Sequence, residues 1–162
     1  MSVDSLTMFL ATGMGLGHVP GLPGTAAAIA GAVLAVGLGL MRRRARLAAT
    51  LALVVLAVPV CEYGGRTLGG DDTRIVADEL LTFPIATAVL PVNHHPGLFV
   101  GVFLTSRILD GLKPPPARAA QRLHGGLGIM LDDAVSNLWS LALGAIGWRA
   151  WKRWKCAGRP GE

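Results

Sequence analysis

Residues 25–60 read TAAAIAGAVLAVGLGLM-RRRAR-LAATLALVVLAVPV, which is two charge-free apolar runs, 25–41 and 47–60, separated by four arginines in five residues. Both runs are rich in Ala, Leu and Gly, a composition that favours close packing of helices. Neither run reaches the roughly 20 residues that comfortably span a bilayer. The stretch therefore predicts helices that either form an apolar core or sit in or on a membrane.

Three further charge-free runs follow along the chain: 80–92, interrupted by Pro84 and Pro91, then 97–104 and 134–148. Hydrophobic residues make up 52% of the 162 residues and charged residues 15%, with a mean hydropathy of +0.52, whereas soluble domains carry about 25% charged residues. We expect an all-α fold, a compact, apolar bundle of about five to seven short helices that is membrane-embedded or membrane-docked. A soluble helical domain with an oversized core is the alternative.

The polar segments between the runs differ in charge. One set of segments (11–24, 62–79 and 107–133) is rich in acids, Gly and Pro, and the other set (42–46 and 149–159) is basic. If each apolar run crosses the bundle once, nine of the ten acids gather at one end and nine of the fifteen cations at the other. The net charge of +5 suits anionic lipids or phosphorylated substrates. No nucleic-acid partner is expected, because the cations do not line one polar helix.

Two pairs of adjacent acids, Asp78-Glu79 and Asp132-Asp133, abut apolar runs. The second pair follows a glycine-rich segment, 125–128, whose three glycines would let the backbone approach a ligand closely. Adjacent acids repel one another unless a cation is near, and Mg²⁺ is the usual ion for oxygen-only ligands. Asp110 adds a fifth carboxylate, so a joint divalent-metal site is predicted. Ordinary helix capping is the alternative for each pair taken alone.

Arg107, Asp110 and Lys113 are spaced by three residues before a triple proline, so a helix would place them on one face. They fit either a phosphate site or a solvated salt-bridge ladder. The glycine-rich stretch 11–24 lacks the spacing of nucleotide-binding loops. It could still present N–H groups to a phosphate, with Thr25 capping the next helix, or form a simple tight turn.

In this order, four motifs resemble the phosphatidylglycerophosphatase A family. The stretch 11–25 fits its A-T-G-x-G-x-G-x-x-P-x-x-P-G-T pattern, 75–79 fits I-V-x-D-E, 107–116 fits R-x-x-D-x-x-K-P-x-P, and 125–133 fits G-G-x-G-[IV]-M-x-D-D. The chain departs from the family pattern at Thr82 in place of Gly, at Ser106 in place of an aromatic, and at Ser136-Asn137 in place of Ala-Gly. None of these departures removes an acid or a cation.

The resemblance implies an all-helical, Mg²⁺-dependent enzyme that removes the terminal phosphate of phosphatidylglycerophosphate to give phosphatidylglycerol. It also implies one domain over 1–162, with a core at about 9–148 and a basic, Trp-rich tail at 149–162. The roles it implies fall into three groups: metal ligands Asp78, Glu79, Asp132 and Asp133; catalytic residues Asp110, Asp132 and Asp133; and substrate-binding residues Thr12, Gly13, Thr25, Arg107, Lys113 and Arg118.

We expect a bacterial-type inner membrane location, a lipid partner and no obligate protein partner. The substrate is made on the cytoplasmic leaflet, so the site is expected to face the cytoplasm, whereas the positive-inside rule applied to five crossings places the basic end there instead. The alternatives are a phosphatase for another phosphorylated lipid and a small membrane subunit or carrier without catalysis. The last would place acids inside apolar runs, and every run lacks them.

Overall fold

The computed structural model describes residues 2–120 and 123–157, so the end of the predicted basic tail, 158–162, lies outside the described residues. Within them the regular structure is entirely helical, which confirms the all-α prediction. Two 3₁₀ turns, Leu16–His18 and Val92–His94, accompany the α-helices, which are α1 (Val3–Ala11), α2 (Pro23–Gly39), α3 (Arg43–Leu68), α4 (Ala77–Thr82), α5 (Pro84–Thr87), α6 (Pro96–Leu112), α7 (Ala117–Ala120) and α8 (Gly126–Ala157).

Two helices are much longer than the apolar runs within them. Helix α3 has 26 residues and α8 has 32, because Arg, Lys and Glu at the ends of the runs are themselves good helix formers. Both are long and apolar enough to cross a membrane, judged by length and composition. Helix α8 also takes in the Trp-rich segment up to residue 157, so the described part of the predicted tail continues this helix.

The helices alternate in direction, so the polar segments between them collect at two ends. At one end Gly24 packs against Glu79, and the start of α8 packs against Glu62 of α3. At the other end Gly39 packs against Asn93. The predicted separation of an acidic end from a basic end is therefore present in the described residues.

The bundle places small residues inside and large apolar ones outside. Helix α2 buries Ala27, Ala28, Gly31, Ala32 and Ala35. The same helix exposes branched side chains, with Val33 69% accessible and Ile29 53% accessible. A Cβ on Gly31 would lie 2.9 Å from the Leu80 carbonyl, so α2 approaches α4 closely through its small residues. At the centre, Phe83 is fully buried and makes edge contacts with the rings of Phe99 and Phe103.

Two local expectations from the sequence are wrong. Thr25 does not cap its helix, because α2 already begins at Pro23, the cap position is Leu22, and no side chain caps it. Asp132 and Asp133 lie in the second turn of α8 rather than at its start, because 126–131 are already helical. The acid pair is therefore set inside the bundle, and capping does not explain it.

Candidate active site

A cavity of about 420 Å³ opens at the acidic end of the bundle. All five acids predicted to form a joint site line it, together with one predicted cation; these are Asp78, Glu79, Asp110, Asp132, Asp133 and Lys113. They come from α4, from α6 and its C-terminal cap, and from α8. Segments far apart in the sequence therefore meet in one cavity, as the motif spacing predicted.

Local contacts at the helix starts set the positions of the acids. Helix α4 begins at Ala77, so Asp78 and Glu79 occupy its first turn, and the preceding Val76 N–H donates to the Ala11 carbonyl at 3.1 Å. On α8 the Gly126 N–H donates to Glu62 Oε2 at 2.5 Å. The carboxylate of Glu62 thus anchors the helix that carries the second acid pair.

The glycines of segment 125–128 pack against protein rather than lining the cavity around a ligand. A Cβ on Gly126 would collide with the backbone of α3, and one on Gly125 would collide with the Glu62 carboxylate. Gly128 is similarly close to the Leu123 carbonyl. The glycines therefore let α8 begin directly against α3, and none of them lines this cavity.

Two cations from the same region meet the acids in different ways. Arg107 Nη1 lies 3.7 Å from Glu79 Oε2 and 3.5 Å from Asp110 Oδ2. Lys113 Nζ donates to Asp132 Oδ2 at 2.6 Å. Lys113 does not continue the helical face of Arg107 and Asp110, because it is the C-terminal cap of α6 and has a left-handed backbone with φ of 47°.

Burial shapes the electrostatics of this cavity. Burial and then the neighbouring charge of Glu79 raise the pKa of Asp78 well above its usual value. Burial also raises the pKa of Glu79, although Arg107 opposes the shift. Burial alone would lower the pKa of Lys113, but the hydrogen bond and charge of Asp132 outweigh it, and the pKa is raised. The site thus holds more acids than its two cations can pair with.

Three buried carboxylate oxygens in the cavity have no hydrogen-bond partner: Asp78 Oδ1, Glu79 Oε2 and Asp133 Oδ2. A buried polar atom without a partner is costly, and hard oxygen donors are the ligands that Mg²⁺ prefers. Across residues 2–120 and 123–157 no group of three or more His, Cys or acidic side chains is already arranged to hold one ion. The chemistry of these oxygens therefore fits a divalent ion, although their side chains do not form a preassembled metal site.

The comparison with known protein families agrees with this geometry. A family model described as phosphatidylglycerophosphatase A matches residues 9–147. The chain belongs to the phosphatidylglycerophosphatase A family. It is an enzyme, a phosphatase of the phosphatidylglycerophosphatase A kind.

Three curated relatives are similar over most of their length. The first, from Bacteroides thetaiotaomicron, is provisionally named a phosphatidylinositol-3-phosphatase; it is 33% identical over 87% of this chain and 92% of its own. A phosphatidylglycerophosphatase A from Escherichia coli K12 is 32% identical, over 83% of this chain and 78% of its own. One from Haemophilus influenzae is 31% identical, over 82% of both. No solved structure matches.

Five of the six residues predicted to bind substrate in this phosphatidylglycerophosphatase A family member lie outside the cavity lining: Thr12, Gly13, Thr25, Arg107 and Arg118. Of these, Arg107 reaches the lining acids Glu79 and Asp110 through its ion pairs. Thr12 is buried and its hydroxyl donates to the Met8 carbonyl at 3.0 Å. Gly13, with φ of +57°, packs against Val76. Exposed Arg118 donates to the Leu112 carbonyl at 3.2 Å. Their role in binding substrate stays a prediction.

The cavity also includes residues that the sequence did not assign to the site. Pro23 and Gly24 line it, as do Asp71 and Asp72. Arg74 donates to Asp72 Oδ1 from its backbone N–H and its Nε, both at 2.9 Å, and these hydrogen bonds lower the pKa of Asp72 to about 2. The available signal was the Asp two residues before an Arg in a glycine-flanked turn, a pattern in which Asp bonds its own backbone.

Proposed function

We propose that this protein is a Mg²⁺-dependent lipid phosphatase that hydrolyses the terminal phosphate of phosphatidylglycerophosphate, giving phosphatidylglycerol in phospholipid biosynthesis. The observation that carries the proposal is one cavity in which buried carboxylates with unpartnered oxygens lie beside Lys113 and Arg107. Membership of the phosphatidylglycerophosphatase A family and the names of two relatives support this substrate.

Asp78, Glu79, Asp132 and Asp133 would hold the metal ion. A bound Mg²⁺ would neutralise charge on the phosphate oxygens. Binding would relieve the unpartnered oxygens of Asp78, Glu79 and Asp133, and would compete with Lys113 for Asp132. Lys113 would then be released to meet the negatively charged phosphate.

Hydrolysis needs a positioned phosphate and a water from which a proton is removed. Lys113 and Arg107 supply positive charge at opposite sides of the acid cluster, and Arg107 is a planar donor suited to phosphate oxygens. Asp110 Oδ2 lies 3.5 Å from Arg107 Nη1, at the edge of the same cavity. We assign Asp110 as the base: it takes a proton from the attacking water as the water oxygen bonds to phosphorus and the P–O bond to the glycerol breaks. The departing oxygen takes a proton from a second water, and Asp110 returns its proton to the solvent.

The outer surface supports a membrane setting for this reaction. Large apolar side chains of α2, α3, α6 and α8 are exposed along the middle of the bundle, among them Val33, Leu51, Val55, Val100 and Ile146. Contiguous apolar surface of this kind is rare on soluble monomers. At the basic end Trp148 and Trp151 stack with centroids 4.9 Å apart, and Lys155 lies over the Trp151 ring, a composition typical of the lipid headgroup region.

We therefore place the bundle in a bacterial inner membrane, with the phosphate-binding end at the surface. The leaflet on which the substrate is made puts that end in the cytoplasm. Accessibility of single cysteines introduced at exposed positions 4 and 152 to an impermeant thiol reagent, in intact cells of a Cys61→Ser, Cys156→Ser background, tests this orientation. Labelling of position 4 alone from outside would reverse it.

The activity test measures phosphate release from phosphatidylglycerophosphate in detergent micelles, with and without Mg²⁺. Asp132→Asn should abolish release while the protein stays folded, and Asp4→Asn, at an exposed acid of α1, is the matched control. Release that is independent of Mg²⁺, or that survives Asp132→Asn, contradicts the proposal. Phosphatidylinositol 3-phosphate is the second substrate to test, because the name of the Bacteroides relative points to it; a higher kcat/KM on that lipid would reassign the substrate.

A further inference from the structure

One buried polar cluster lies away from the cavity and joins three helices. Asn137 of α8 accepts a hydrogen bond at Oδ1 from the Ser106 hydroxyl of α6, at 2.7 Å. Its Nδ2 donates to Thr82 Oγ1 of α4, at 3.0 Å. All three residues are no more than 2% accessible. The side chain of Asn137 thus bridges the two other helices through opposite ends of one amide.

Each member of this cluster is four residues from an acid of the cavity on the same helix. Thr82 follows Asp78, Asn137 follows Asp133, and Ser106 precedes Asp110 by that spacing. Four residues of α-helix advance about 6 Å and return to the same face. The hydrogen-bonded layer therefore lies one turn below the layer of carboxylates, helix for helix.

The hydrogen-bonded layer would counteract repulsion among the carboxylates one turn above it. Three carboxylates from three helices face one cavity, two of them with unpartnered oxygens, and like charges at close range repel. Of the three helices, α4 is least able to resist displacement by this repulsion. It has only six residues and ends at Thr82, and a separate helix begins at Pro84. The buried ring of Phe83, which follows α4, fixes how deeply α4 sits in the core. The hydrogen bond to Thr82 fixes the position of α4 along its own axis.

We propose that Asn137, acting through Thr82 and Ser106, is a positioning residue that holds α4, α6 and α8 in the axial register that brings Asp78, Asp110 and Asp133 to one site. Only an amide offers a donor and an acceptor in the geometry seen here. A single buried Asn that fixes helix register is a well-attested use of a buried polar group. The inference rests on the proposed function, since it concerns the same carboxylates.

Ser140 provides the matched control. It lies three residues beyond Asn137 on α8, is fully buried, and its hydroxyl also joins α8 to α6, by donating to the Val102 carbonyl at 2.9 Å. It is seven residues from Asp133 and bonds neither of the serine and threonine hydroxyls above. Ser140→Ala should lower stability by removing an interhelical bond while leaving the register of the carboxylates unchanged.

The experiment compares Asn137→Leu, Thr82→Val and Ser140→Ala with the wild-type full-length protein in micelles. For Asn137→Leu and Thr82→Val we expect kcat to fall about 10- to 100-fold, with KM for phosphatidylglycerophosphate within about threefold of wild type. Thr82→Ser, which keeps the hydroxyl, should recover most of kcat. Ser140→Ala should keep the wild-type kcat. Thr82→Val retains the side-chain volume and decides the question if Asn137→Leu fails to fold.

A second readout separates this inference from the proposed function. Binding of Mn²⁺, followed by the electron paramagnetic resonance signal of the free ion, should weaken about 10- to 100-fold in Asn137→Leu and Thr82→Val and stay unchanged in Ser140→Ala. If the wild type binds Mn²⁺ but releases no phosphate from either lipid, the proposed function fails and the Mn²⁺ affinities decide the positioning role. The positioning role would be overturned if Thr82→Val kept the wild-type kcat and the wild-type affinity for Mn²⁺. It would also be overturned if the wild type neither bound Mn²⁺ nor released phosphate.

Discussion

Replacing Lys113 with Met removes one charge and little volume from the edge of the cavity. In the structure Lys113 Nζ lies 2.6 Å from Asp132 Oδ2, and the side chains are 30% and 7% accessible. The aliphatic part of the side chain is retained in Met, whereas the hydrogen bond and the positive charge are lost. Asp132 then keeps its buried carboxylate without the cation that balances it.

The cost lies between two limits. Removing one partner of a fully buried ion pair costs about 3–5 kcal/mol, and removing one of an exposed pair costs less than about 1 kcal/mol. Because Asp132 is buried and Lys113 is one-third exposed, we expect a loss of about 2 kcal/mol in the free energy of unfolding without Mg²⁺. At about 2–4 °C per kcal/mol for a chain of this size, Tm should fall by about 4–8 °C.

A metal ion should reverse part of this loss, because it would supply positive charge to the same carboxylate. We therefore expect the difference in Tm between Lys113→Met and wild type to shrink by at least half in saturating Mg²⁺. Phosphate release should still fall about 10²-fold or more, because the variant lacks the charged group that we propose contacts the phosphate.

The measurement is thermal unfolding in detergent by circular dichroism, with and without Mg²⁺, alongside phosphate release. Lys113→Arg keeps the charge and should lose less stability, and Lys152→Met removes an exposed cation at the basic end and should change neither quantity. A wild-type Tm for Lys113→Met without Mg²⁺ would refute the assigned ion pair. A Tm loss that Mg²⁺ does not reduce would refute the shared role of Asp132.

Other substitutions test the glycine contacts and the contribution of Arg118 to substrate binding. Gly126→Ala should cost about 1–3 kcal/mol in unfolding free energy, because its Cβ would meet the α3 backbone, whereas Gly147→Ala, in open space on the same helix, should be neutral or stabilising by up to about 1 kcal/mol; equal effects in chemical denaturation would contradict the close approach. Gly24→Ala should lower kcat roughly tenfold or more by displacing the Glu79 carboxylate, while Gly37→Ala, with nothing near its Cβ, keeps it. Arg118→Gln should raise KM by less than about threefold, because this exposed side chain bonds the Leu112 carbonyl and, unlike Arg107, forms no ion pair with a cavity acid in the described residues; a loss as large as that of Lys113→Met would place it on the phosphate.

Sequence patterns predicted the features that depend on composition and on local spacing. Charge-free runs indicated helices, and the positions of the acids at the ends of those runs indicated one charged end. Both follow from the regular rise of helices that alternate in direction, so residues at the same ends of successive runs must meet. The acids Asp78, Glu79, Asp110, Asp132 and Asp133 lie together for this reason.

Features that depend on three-dimensional contact could not be predicted in the same way. Gly126 was interpreted as admitting a ligand, yet it admits the backbone of α3. Lys113 was placed on a helical face, yet its left-handed backbone turns it to Asp132. The sequence identifies three departures from the family pattern, at Thr82, Ser106 and Asn137, but does not indicate that they contact one another. Their hydrogen bonds span up to 55 residues of sequence, and no local pattern contains such a pairing.

The origin of the cavity acids in α4, α6 and α8 has a consequence for the synthesis, proteolysis and heat inactivation of the protein. Asp78 and Asp133 are 55 residues apart in the chain, and α8 supplies the last pair. A growing polypeptide therefore lacks a complete set of these acids until α8 has been made, and any fragment that ends before residue 132 lacks it as well. Competence to attack a lipid phosphate arrives in one step, when the final helix docks, and heat inactivation should coincide with the separation of that helix from the rest.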